Sequence, residues 1–111
     1  MDTVSEYRDI IEQVLDPYTK IPYAHGDLQC VAIFDRQHDR YALMTVGWDN
    51  DERVHHPLIH IDIINGKLWI QTDNTDRSIA SELVQAGVPK SQIVLAFRAP
   101  EIRQYTDYAV A

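Results

Sequence analysis

The sequence predicts an α+β fold: a two-layer domain built on a mainly antiparallel five-stranded sheet, with an N-terminal helix and a second helix before the last strand. Three observations carry this. The chain opens on helical periodicity, four strand-like runs joined by short polar turns follow, and a helix-then-strand unit comes after them. At 111 residues the chain has the length of one domain and can bury a core without covalent staples.

In the first element Val4, Tyr7, Ile11, Val14, Leu15 and Tyr18 recur at three- and four-residue spacing, one apolar stripe on a helix. Thr3 and Glu6 have the capping-box pattern, and Pro17 should stop or kink the helix near Asp16. The opposite face carries Glu6, Arg8, Asp9 and Glu12, which reads as solvated.

The strand-like runs are Leu28–Asp35, Arg40–Trp48, Val54–Ile64 and Lys67–Asp73. Their short connections favour antiparallel hairpins. Asn65-Gly66 suits a type I′ turn, in which both central residues take positive φ. A two-residue loop there pairs Ile64 with Lys67, Ile63 with Leu68, Asp62 with Trp69, Ile61 with Ile70 and His60 with Gln71. Directly opposed residues share a face. Ile59, Ile61, Ile63, Leu68 and Ile70 then form the core face, while Leu58, His60, Asp62, Trp69 and Gln71 form a mixed one.

Asp76–Ala86 reads as the second helix, ended by Gly87, and Gln92–Arg98 as the fifth strand. The helical connection is long enough for a parallel crossover, which would make the sheet mixed. Pro100 opens a short helical turn.

Composition limits function. The chain has 17 Asp+Glu against 10 Lys+Arg, a formal net charge of −7. Independent DNA binding, which needs bases to neutralise phosphates, is disfavoured. The one cysteine allows no intramolecular disulfide, and Cys30 in an alternating strand reads as a small buried hydrophobe. The start Met1–Glu6 has no signal-peptide pattern and no run approaches a membrane span, so a cytoplasmic protein is expected.

Candidate chemistry is sparse. In a regular strand His56, His60 and Asp62 point to one face, and imidazole with carboxylate suits zinc or iron(II). The spacing is loose and Pro57 interrupts the run, so surface or interface histidines are the default, with no cofactor expected. There is no nucleophile elbow, phosphate-binding glycine loop or HExxH pattern, so no catalytic residue is assigned. Two readings of the aromatics stay open. Either Trp48 is core and the tyrosines pack with wet hydroxyls, or Trp69 with Leu58, His60, Asp62 and Gln71 forms a protein-binding face. Tyr105 and Tyr108 in the tail extend that surface, and a flat, partly apolar sheet face also suits a homodimer.

Taken together, Ile33-Phe34-Asp35, Gly47-Trp48, His60-Ile61-Asp62-Ile63, Gly66 to Asp73, Glu82-Leu83-Val84, Gly87 to Lys90, Ile93 to Phe97 and Arg103 to Thr106 resemble the XisI-like family in order and spacing. These are the fdxN element excision controlling factors of heterocyst-forming cyanobacteria. The resemblance spans nearly the whole chain, as one XisI-like domain over 1–111; Asp16-Pro17 and His55-His56 depart from the family pattern. It implies a non-catalytic accessory role in programmed DNA excision, with a companion XisH-like protein and a separate site-specific recombinase. An immunity- or antitoxin-like partner of a nuclease-like companion, and a small metal-dependent enzyme using His56, His60 and Asp62, are the alternatives from other classes.

Overall fold

The expected first helix is α1 (Thr3–Leu15) in the computed structural model, which describes residues 3–23 and 27–111. Its stripe buries Tyr7, Ile11 and Leu15. The capping-box reading has Thr3 preceding the helix; Thr3 is instead its first residue, and those before it lie outside the described residues. At Pro17 the helix gives way to a 3-10 turn, Asp16–Lys20, which still buries Tyr18. The Tyr18 hydroxyl donates to the Glu82 carboxylate; burial first, and that carboxylate second, push its pKa up to about 12.

The strands are β1 (Asp27–Asp35), β2 (Arg40–Asp49), β3 (Glu52–Ile64), β4 (Lys67–Asp73) and β5 (Ile93–Leu95), and they lie side by side in that order. Neighbours are antiparallel except β4 and β5, which the crossover through α2 (Ile79–Gln85) makes parallel. The sheet is therefore mixed. Asn65 and Gly66 take φ of 51° and 78°, as a type I′ turn requires. The expected register holds from Ile64–Lys67 to Ile61–Ile70 and then slips. Gln71 is an extra residue, so His60 faces Thr72, not Gln71. A second bulge makes Leu58 extra between Pro57, opposite Met44, and Ile59, opposite Leu43.

One face of the sheet packs on the helices. Tyr41, Leu43, Ile59, Ile61, Leu68 and Ile70 meet Ile11 and Leu15 of α1 and Ile79 and Leu83 of α2, all fully buried. Each such Leu or Ile stabilises the fold by on the order of 2 kcal/mol. Ile63 of the expected core face is only partly buried. Cys30 is the small buried residue expected, and burial pushes its thiol pKa up. Arg8 of α1 closes the layers at one end, its guanidinium donating to both oxygens of Asp39 in the β1–β2 turn, at 2.7 and 3.1 Å.

Two elements are shorter than the sequence suggests. The Asp73 carboxylate accepts from the Thr75 and Ile79 amides, holding the intervening residues in a turn until Ser78 caps α2. β5 ends at Leu95 because the Arg98 amide donates back to the Leu95 carbonyl and turns the chain. Pro100 does open a helical turn, α3 (Pro100–Arg103). Among the described residues, no helix is long and apolar enough to cross a membrane.

Candidate functional site

Among the described residues, α1 and α2 pack on the first face alone and leave the other face of β1 to β3 uncovered. Residues opposite one another share a side, so the register assigns this face. β1 supplies Asp27, Gln29, Val31, Ile33 and Asp35; β2 supplies Arg40, Ala42, Met44, Val46 and Trp48. From β3 come Arg53, His55, Pro57, His60, Asp62 and Ile64, and from β4 Lys67, Trp69, Gln71 and Thr72. Trp48 is thus not core: Gly47 takes the inward position and Trp48 turns outward, half exposed, with the Arg53 guanidinium 5.4 Å from its ring centroid.

The bulge at Leu58 breaks the proposed metal set. His56 lies opposite Thr45, whose side chain is buried on the helix side, while His60 lies opposite Ala42 on the outer side. One extra residue changes the parity, so His56 faces away from His60 and Asp62. Among the described residues, no three His, Cys, Asp or Glu side chains gather as metal ligands. Leu58 also leaves the predicted surface and packs against the core beneath a groove of about 230 Å³ lined by Tyr18, Ile21, Tyr23 and Arg77.

His60, Asp62, Gln71 and Trp69 do come together. His60 Nε2 is 2.9 Å from Asp62 Oδ1, Gln71 Nε2 donates to Asp62 Oδ2 at 3.4 Å, and Trp69 is the cross-strand partner of Asp62. The carboxylate orients the imidazole as it would orient a general base, but among the described residues no hydroxyl or thiol hydrogen-bonds to His60. The cluster is a half-buried polar surface.

The C-terminal segment lies against it. Arg103 sits 5.5 Å from the Trp69 ring centroid. Its guanidinium donates to the carbonyls of Leu95, Ala96, Arg98 and Val110, at 3.0 to 3.3 Å. Ala109 bridges to Val94, and Lys67 Nζ donates to the Ala111 carbonyl at 2.5 Å. Tyr105 projects outward, 83% exposed, whereas Tyr108 packs partly into the core with Lys90 over its ring.

Comparison with known proteins places the chain in a family. The model described as XisI protein matches residues 1–110. The chain belongs to the XisI family. Among solved structures, it is similar to a XisI-like protein from Anabaena variabilis ATCC 29413. The two are 40% identical, with a TM-score of 0.90, and the match covers 97% of this chain and 99% of that one. The fdxN element excision controlling factor XisI from the same organism is 33% identical, with a TM-score of 0.84, over 99% of this chain and 100% of that one. No curated protein matches.

Reading the sequence of this XisI-family chain missed Arg103 and the bare β1–β2 half of the outer face. A signal for the second was present: Val31 and Ile33 alternate with Cys30 and Phe34, so β1 is apolar on both sides. The outer face of β1–β4 carries Asp27, Asp35 and Asp62 against Arg40, Arg53 and Lys67, a balance of zero on a chain of −7. The excess acidity lies elsewhere, part of it on α1, where Asp9 and Glu12 share the single cation Arg36 at 2.5 Å each.

Proposed function

We propose that this chain is a non-catalytic regulatory factor for excision-type DNA rearrangement, acting through protein contacts with an XisH-like companion or with the recombinase. The observation that carries this reading is its likeness, over nearly its whole length, to a protein named as an excision controlling factor. The net charge of −7 supports an indirect route to DNA, because such a chain repels phosphate and attracts a basic protein. The partner docks where Trp69 and the C-terminal segment meet. Phe97, Ile102, Tyr105 and Val110 are large apolar groups exposed along that segment, the residue types that anchor interfaces.

A pull-down with purified companion tests this. Tyr105→Ser together with Ile102→Ser should reduce recovery about ten-fold or more while leaving far-ultraviolet circular dichroism unchanged. Undiminished recovery would remove this surface. Tight, sequence-selective DNA binding by the purified chain alone would remove the indirect mechanism.

A further inference from the structure

We propose that the bare outer face of β1, β2 and β3 is the contact between two copies of this chain, packed sheet against sheet about a two-fold axis. This inference is independent of the regulatory role and uses the half of the outer face away from the C-terminal segment.

Three observations support a second copy as the occupant. The first is apolarity without cover. Ile33 is 55% exposed, Trp48 49% and Val31 37%, and Ala42, Met44 and Val46 between them are half-buried. Isolated exposed apolar residues are ordinary, but six on adjacent strands of one face form a patch of the kind that marks an interface. The second is charge. On β1, β2 and β3 this face carries Asp27, Asp35 and Asp62 against Arg40 and Arg53, a balance of −1 on a chain of −7, so two copies can meet there with far less repulsion than their net charge implies. A strongly basic partner would gain little from a face so near neutrality. An axis running across the strands sets the Trp48–Arg53 end of one copy on the Asp35–Arg40 end of the other. Arg53 then faces Asp62 of the second copy, and Asp27 faces Asp35 with Arg40 of the neighbouring strand beside the pair, the reciprocal contacts of an isologous interface.

The third is area. Three strands at about 4.8 Å spacing and nine residues at about 3.3 Å rise project to roughly 400 Å². Side-chain corrugation raises the accessible area toward the ~800 Å² per partner of a standard interface. Aligned packing of two twisted sheets interdigitates such alternating side chains at about 10 Å separation.

Sedimentation velocity over a micromolar concentration series tests the contact. The wild type should dimerise, and Ile33→Asp should weaken the dimer at least about ten-fold by burying a carboxylate at the centre of the patch. Ile33→Thr, which keeps a β-branched residue in the strand, should weaken it less and guards against a folding defect in the first variant. Ile102→Asp, on the C-terminal segment, should leave dimerisation unchanged. In a Trp69→Phe background, Trp48 emission should shift to the blue as dimer forms. A chain that stays monomeric throughout, or a dimer indifferent to both Ile33 variants, would overturn the proposal, as would a dimer lost equally in Ile102→Asp.

Discussion

The guanidinium of Arg103 lies over the indole of Trp69, 5.5 Å from the ring centroid, and the same group is hydrogen-bonded to four backbone carbonyls. Those carbonyls belong to β5, the turn after it, and the C-terminal end. One side chain therefore ties the last sixteen residues to the outer side of the sheet. Arg can do this because its planar fork has five donors; a lysine offers one point charge.

Replacing Arg103 with Met should leave the core intact and loosen the C-terminal segment. We expect a stability loss of about 2 kcal/mol in urea, from charged-donor hydrogen bonds and the cation–π contact at a partly exposed site. In a Trp48→Phe background, Trp69 emission should move to the red as its cover is lost. Arg103→Lys should recover only part of the loss. Full recovery by Lys would mean that charge, not the fork, holds the segment.

Acid stability should depend on Arg8 and Asp39. The Arg8 guanidinium holds the Asp39 carboxyl below the ordinary carboxylate range, against the opposing effect of burial. A carboxylate whose pKa is lower folded than unfolded stabilises the fold above the unfolded value, about 3.9. That contribution is lost as pH falls below about 4 and through the folded pKa. Asp39→Asn keeps a residue tolerant of the positive φ of 55° found there while removing the charge. The variant should be less stable than wild type near neutrality, and the two urea midpoints should converge as pH falls below about 4. Parallel curves across that range would show that the ion pair adds nothing.

The sequence made the layer order readable because its signals were local. The α1 stripe, the Asn65-Gly66 turn and the alternation of Ile59, Ile61, Leu68 and Ile70 each specify their own geometry without distant help. The two bulges were not readable in this way. No residue type demands an extra residue at Leu58 or Gln71, and one insertion reverses every side chain on one side of it. Pro57 was a partial signal, since a strand proline cannot donate to the ladder and favours irregular pairing. Thus His60, Asp62 and Trp69, which lie on the hairpin side of the slip, met as expected, while Leu58 and His56 ended on the helix side. Trp48 was readable too: alternation from Tyr41, Leu43 and Thr45 turns it outward, against the habit of counting tryptophan as core. Arg103 carried no signal, because its partners are backbone carbonyls fixed only by the folded segment.

Gly47 lets β1 and β2 approach closely where the sheet begins. It lies within β2 at φ +148°, and a Cβ built there would stand 1.9 Å from the Asp27 carbonyl oxygen at the start of β1. Two effects therefore oppose any side chain: a backbone conformation that L residues avoid, and a collision with main chain that cannot rotate away. The first is worth on the order of 1–3 kcal/mol; the second forces β1 from β2 where the strands begin to pair. Gly47→Ala should lose at least ~3 kcal/mol, a large part of the ~5–15 kcal/mol that stabilises a domain of this size. Gly66 supplies the control. Its φ is also positive, at +78°, but nothing lies within 4 Å of where its Cβ would sit. Gly66→Ala should lose only about 1 kcal/mol. Urea denaturation of the two variants separates strain from collision. Equal losses would mean that β1 yields to the new methyl group, and the close approach of Asp27 to Gly47 would then not be what demands glycine at this position.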